Sequence, residues 1–318
     1  MKRILLIASL LIVSSMSLAQ FRVAAVMPSA TNDLAFSQSM FDALSTIQTE
    51  MGADNFEFVF VDGTFIVDDA AAAIRDWAAE GYDLIIAHGS QYGSSLEEIA
   101  PDFPDVSFAW GTAGNTFGLD NVYAYEAASD EGGYVLGVLA AALSKSGTIG
   151  VVGPIEVGDA KLYVDGFKAG VIAQNEAAQV NVNYIGSFSD VALATEAAKT
   201  HVSAGADALT GSAQMVVGAV GVAQKAGVLW FGTQANQTEL APDIVVANQV
   251  YDWTVVLNPM IANIQSGQLG GEAYTINLKN KGLLIEYNDF FGVSDEVKAL
   301  ADAAIAGIIA GDISPLGE

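Results

Sequence analysis

Short apolar runs of three to six residues alternate along almost the whole chain with Ala-rich segments whose apolar positions recur at helical spacing. The runs Val23–Met27, Phe56–Val61, Leu84–Ala87, Ser107–Trp110, Thr148–Val152, Val180–Ile185, Ala208–Thr210, Val228–Phe231 and Ile244–Ala247 predict strands. Between them, Phe36–Glu50, Asp69–Glu80, Ser94–Ala100, Glu131–Leu143, Val164–Asn175, Val191–Ala204, Val216–Ala226 and Asp252–Gln265 predict helices. Residues Gly267–Gly282 read as turn, strand, turn, and Ser294–Ile309 as a final helix. Continuously apolar strands joined by helical crossovers belong to parallel sheets covered on both faces. Nine such strands overfill one doubly wound unit of about 150 residues. The pattern therefore predicts an α/β chain of two doubly wound parallel-sheet lobes. The break is expected near Tyr125–Glu131, where Asp130-Glu131 opens a helix at the end that favours negative charge. No long Gly, Ser or Pro linker separates the halves, so short crossing segments are expected to form a hinge.

The first 19 residues stand outside this pattern. Lys2-Arg3, the apolar run Ile4–Val13 and the small-residue exit Ser17-Leu18-Ala19 predict a signal peptide cleaved after Ala19. The run falls short of the ~20 apolar residues of a transmembrane helix. The protein is thus expected to be secreted, periplasmic or extracellular, and soluble once cleaved. With no cysteine, disulfides, thiolate metal sites and cysteine nucleophiles are excluded. The formal charge is −25, and losing Lys2 and Arg3 with the leader makes it −27 (−25 less two bases). Such a surface repels nucleic acid and anionic lipid. After the leader only Arg22 and Arg75 remain as arginines, one opening a strand and the other inside a helix. Carboxylates and phosphates are commonly gripped by a bidentate arginine, so a neutral ligand is expected.

In open α/β sheets ligands sit at the carboxyl edge of the strands. The segment Val23–Phe36 places Asn32, Asp33 and Phe36 where the first strand feeds its helix, a set suited to a flat, polar-edged ligand. Phe36 is the expected stacking ring; Asp33 can cap the helix and still accept a ligand N–H. After the third strand, His88-Gly89-Ser90-Gln91-Tyr92 offers a glycine for close approach, two polar groups and a second ring. Trp110 ends the fourth strand on the cleft side, whereas Trp230 reads as core. In the second half, Gln214, Gln234, Asn236 and Gln249–Tyr251 fall at strand ends, and amides both donate and accept. His88 and His201 lack metal-ligand spacing. No G-x-S-x-G elbow, P-loop or post-strand G-x-G-x-x-G is present, so no catalytic residues, cofactor or metal are expected.

Several stretches resemble the basic membrane protein (BMP) family, purine-nucleoside receptors of ABC importers with the type I periplasmic binding-protein fold. They are NDLAFSQSM at 32–40, YDLIIAHGS at 82–90, PDVSFAW at 104–110, NVYAYEAASDEGGYVLGVLAAALSKSGTIGVVG at 121–153, YVDGFKAGV at 163–171, GADAL at 205–209 and FGTQANQTELAPDIVVANQVYDW at 231–253. The resemblance implies a monomeric receptor that closes on a purine base or nucleoside and delivers it to a membrane permease. It implies one lobe of residues 20–127 plus about 251–277 and another of 128–250 plus about 278–318. Its ligand-binding set would comprise Asn32, Asp33, Phe36, Ser90, Gln91, Tyr92, Trp110, Gln214, Gln234, Asn236 and Tyr251.

Two positions depart from the family pattern. Gln234 stands where an aspartate usually takes the ribose hydroxyls, and Tyr251 replaces a common lysine. These exchanges point to a free base, or a flavin, ahead of a nucleoside. The lipid-attachment cysteine of the family is also missing, which implies a freely diffusing receptor. Three other readings share parts of this evidence: a receptor for riboflavin or sugar, a ligand sensor, and a secreted nucleoside hydrolase, for which no compact acidic cluster is present.

Overall fold

The computed structural model describes residues 20–317, so the leader expected over 1–19 lies outside the described residues. Two six-stranded sheets organise the chain. The first contains β1 (Phe21–Val26), β2 (Phe56–Val61), β3 (Leu84–Ala87), β4 (Ser107–Gly111), β5 (Val122–Ala127) and β11 (Ala273–Ile276), in the order β11-β5-β4-β3-β1-β2. The second contains β6 (Thr148–Gly153), β7 (Gln179–Tyr184), β8 (Ala208–Gly211), β9 (Leu229–Gln234), β10 (Val245–Tyr251) and β12 (Leu283–Tyr287), in the order β12-β10-β9-β8-β6-β7. Every pairing is parallel except β12 on β10. The expected α/β class of two doubly wound lobes is the fold observed.

The first sheet carries α1 (Phe36–Met51), α2 (Val67–Ala79) and α3 (Gly93–Ile99); α8 (Thr254–Gln265) joins them by packing on α1. On the second lie α4 (Ser129–Leu143), α5 (Gly158–Gln174), α6 (Val191–Ser203), α7 (Val216–Ala226) and α9 (Asp295–Ala310). The chain passes between the sheets three times, from β5 to α4, from β10 to α8, and from β11 to β12. Each passage is short, so the lobes are coupled by thin backbone segments rather than by a long linker.

Three elements differ from the pattern reading. β5 falls where the lobe break was expected, because Val122-Tyr-Ala-Tyr-Glu-Ala is poor in β-branched residues; β4 and β11 on its two sides stabilise it through pairing. β12 was not anticipated, and it is the antiparallel edge strand. α5 begins at Gly158, six residues before the expected Val164. Gly158 is left-handed (φ 53°) and the first turn is polar, which hid that turn from a periodicity argument.

α4 and α5 pack backbone against backbone through small residues. A side chain at Gly170 would run into the Tyr134 carbonyl, and one at Gly137 into that of Phe167. Gly170→Val is therefore expected to cost about 2–3 kcal/mol of stability by overpacking, read as a lowered urea midpoint at unchanged slope.

Candidate functional site

The carboxyl ends of both sheets face one narrow cleft with about 460 Å³ of empty space. The first lobe contributes Pro28 after β1, Phe65 after β2, Gly89, Ser90 and Gln91 after β3, Thr112 after β4, and Phe36 at the start of α1. From the second come Val157 to Ala160 at the start of α5, Phe188 after β7, Ala213 and Gln214 after β8, and Gln234 closing β9. Gln237 Nε2 spans the lobes by donating to the Leu34 carbonyl at 3.2 Å. Thr112, Ala213 and Gln234 all adopt left-handed backbone (φ 54°, 69° and 75°). Such strain in non-glycine residues concentrates where surrounding structure holds a site in place.

The Phe36 ring lies flat on His88, with centroids 3.8 Å apart and planes 8° from parallel. Behind His88, Tyr125 continues the column at 6.0 Å and 11°. Trp253 meets both from the side, at 83° to His88 and 72° to Tyr125. His88 Nε2 lies 3.1 Å from the Phe36 carbonyl, which only accepts, so Nε2 carries the proton. Nδ1 then accepts from the Tyr125 hydroxyl at 2.7 Å. Complete burial pulls the His88 pKa down to about 3, so the ring is neutral, with one nitrogen bonded to Phe36 and the other to Tyr125. The outward face of Phe36, on a residue only 8% exposed, is what this column presents to the cleft.

Five of the residues singled out from the sequence line the cleft: Phe36, Ser90, Gln91, Gln214 and Gln234. Six lie elsewhere. Asn32 is exposed on the loop before α1. Asp33 is occupied as a cap: Oδ1 accepts from Ala35 N and Gln38 N at 2.8 and 3.2 Å, and Oδ2 from Ser37 N and Ser29 Oγ at 3.2 and 2.5 Å. Tyr92 is fully buried and donates to the Thr64 carbonyl at 2.6 Å. Trp110 stacks on Phe117 at 4.7 Å and donates to the Gly89 carbonyl at 3.2 Å, bracing the β3 turn from behind. Asn236 donates to Glu286 Oε2 at 2.7 Å on the outer surface. The Tyr251 hydroxyl lies 2.6 Å from Ser129 Oγ inside the crossing region. Trp230 is core, as its strand position implied.

Sequence reasoning missed Asp159, Thr112, Phe65 and Phe188. Asp159 is the one charged side chain among the described residues that line the cleft. Its pKa is pushed up to about 7, first by burial and then by the charge of Glu126. Both arginines of the described residues are engaged away from the cleft lining, Arg22 with Glu57 at 3.0 Å and Arg75 with Glu98 at 2.8 Å. The site combines a ring face, amides and one acidic group, with no cation for an anionic ligand.

The family described as Bmp, ABC transporter substrate-binding protein PnrA-like, matches residues 21–312. The chain belongs to the Bmp family. Its relatives include a purine-binding protein of Brucella abortus, 30% identical over 264 residues that make up 82% of this chain and 73% of that protein. An ABC transporter solute-binding protein of Aeropyrum pernix matches with a TM-score of 0.81 at 19% identity over 92% of each chain. Another, from Conexibacter woesei, matches with a TM-score of 0.74 at 24% identity over 92% of this chain and 97% of its own. These two likenesses bear on the fold. Bmp proteins of this description are substrate-binding components of ABC transporters, and the basic membrane protein resemblance read from the sequence is thereby established. Among the described residues, no helix is long and apolar enough to cross a membrane.

Proposed function

We propose that this Bmp protein captures a neutral, flat purine base between its lobes outside the cytoplasm and delivers it, unchanged, to an ABC permease. The observation that carries this reading is the Phe36 face, backed by His88 and opening onto a cleft of amides without a cation. Stacking on such a face suits any aromatic ring, and amides match an edge of mixed donors and acceptors. The Brucella relative, a purine-binding protein by name, agrees with this choice.

The free base is favoured over the nucleoside by the two departures noted above. Gln234 Oε1 already accepts from Ala213 N at 3.2 Å, and Tyr251 is buried against Ser129. Neither offers a charged acceptor to ribose. Hydrogen bonds to charged groups contribute about 1.5–3 kcal/mol against about 1 for neutral ones, so these two positions give ribose little. Mass spectrometry of ligand carried through purification should find a purine. Calorimetry with adenine, guanine, their nucleosides, riboflavin and ribose should show bases binding at least as tightly as nucleosides, with no base released from nucleosides on incubation. A nucleoside preferred tenfold or more would overturn the base assignment.

Phe36→Ala is expected to lose about 0.5–1.5 kcal/mol of binding beyond the lost contact area; an unchanged isotherm in a folded variant would remove its stacking role. Hinge closure on ligand is expected as well, since thin crossings permit rigid-body motion. Small-angle scattering should show a smaller radius at saturation than without ligand.

A further inference from the structure

Asp159 stands in the first turn of α5 with only 9% of its surface exposed, and it faces the cleft. Its Oδ2 is shut off from solvent and has no hydrogen-bond partner in the protein. The backbone N–H groups of Asp159 and Ala160 at the start of α5 favour the carboxylate, but burial outweighs them, and an unpartnered buried oxygen still carries its own desolvation cost. The ionisable groups that act on the Asp159 carboxylate or feel its charge are Glu126 and Tyr125 on β5 and Tyr251 on β10. Glu126 repels it. The Tyr125 hydroxyl is given to His88 and the Tyr251 hydroxyl is paired with Ser129, so neither serves Oδ2. On the other lobe, Gln91 Nε2 is likewise buried without a partner, on a residue that lines the same cleft. One lobe therefore holds an unused acceptor and the other an unused donor.

We propose that Asp159 is the specificity residue of the cleft: its Oδ2 accepts a hydrogen bond from an N–H on the edge of a neutral heterocycle, while Gln91 Nε2 donates to an acceptor on the same molecule. This rests on the receptor reading above and names the ligand chemistry within it, a ring edge carrying both an N–H and a lone pair. An anionic ligand meets a carboxylate and no cation. A ligand without an N–H leaves the carboxylate buried and unpaired, and sites built around a polar partner discriminate strongly against its absence. The raised pKa of Asp159, about 7, fits this geometry. A ligand N–H bonded to the carboxylate competes with protonation, so acidification weakens binding.

The test is calorimetry with adenine on the full chain at pH 8 and pH 6. With a free-state pKa of about 7, the carboxylate fraction falls about tenfold between these values, and the apparent affinity of the wild type should fall by about the same factor. Asp159→Asn should bind more weakly at pH 8 and show no such slope. A residue serving only the fold would lower the melting temperature without touching the pH profile; here the ligand-free variant should melt no lower than wild type. At least one of 9-methyladenine and 6-dimethyladenine, which cap N–H groups, should bind about tenfold more weakly or worse. A flat wild-type profile, an Asp159→Asn variant matching wild type, or equal binding of both capped bases would overturn the proposal while leaving the purine reading intact. If adenine fails but riboflavin binds with the same slope, the purine reading falls and the role of Asp159 stands. If neither binds, ligand released from denatured wild type and Asp159→Leu decides: loss in the variant upholds the role, and equal amounts, or none in either, overturn it.

Discussion

Asp159→Asn is expected to stabilise the ligand-free protein by about 4 kcal/mol relative to wild type at pH 8, and to lose that advantage as the pH is lowered to about 4. Asp159 is folded into a site where burial and Glu126 disfavour its charge, raising its pKa from 3.8 to about 7. An acid whose folded pKa lies above its unfolded one holds its proton more tightly in the native state. Stability then falls as pH rises between the two values, and below both the group contributes nothing. An asparagine never ionises, so the difference between variant and wild type grows from pH 4 to pH 7 and then levels. Urea melts of both proteins at half-unit pH steps, stripped of ligand, would measure it. A difference that stays constant with pH would show that the Asp159 carboxyl titrates normally in the fold.

His88→Ala should show the opposite tilt and a loss in place of a gain. Removing the imidazole side chain empties the space behind Phe36 and leaves the Phe36 carbonyl and the Tyr125 hydroxyl unpaired, all in a buried setting. Cavity and unsatisfied-group costs together amount to about 2–4 kcal/mol at pH 7. The His88 pKa is depressed from 6.5 to about 3 by burial, so the unfolded state binds the extra proton first. Wild-type stability from this group is fully present above pH 6.5 and fades as the pH falls toward 3. The deficit of the variant therefore shrinks on acidification. In the wild type, Asp159 and His88 tilt stability in opposite directions between about pH 4 and 6.5, and each variant exposes the slope of the other. His88→Ala should also weaken ligand binding, because Phe36 loses the surface that sets its ring plane. A variant with a wild-type isotherm would show that α1 alone orients Phe36.

Much of the site was legible because strand tips in doubly wound sheets converge on one edge. Ser90, Gln91 and Gln214 follow strands, Gln234 closes one and Phe36 opens the helix after β1, and these positions in the chain direct them to the cleft. The residues that lie elsewhere sit in or after the carboxyl ends of strands too, and what separates them is direction. Asp33 turns inward because the first turn of α1 leaves N–H groups without carbonyl partners, and a carboxylate three residues before the helix reaches them. Tyr92 is carried under the wall by the short turn Ser90–Tyr92, where its hydroxyl finds the Thr64 carbonyl. Asp159 escaped notice because a polar first turn following a left-handed glycine carries no helical periodicity.

Apolar periodicity, which depends only on residues near one another in the chain, was enough to specify two parallel sheets with helical crossovers, and the scarcity of arginine was enough to disfavour an anionic ligand. Long-range packing settled the rest. β5 is a strand because β4 and β11 pair with it, and β11 is more than 140 residues away in the chain. His88 is a neutral brace rather than a free base because Phe36, Tyr125 and Trp253 enclose it from three separate elements. Asp159 becomes a buried acceptor only when the second lobe sets the start of α5 against the crossing strands β5 and β10, since burial and the field of distant charges are properties of the assembled fold.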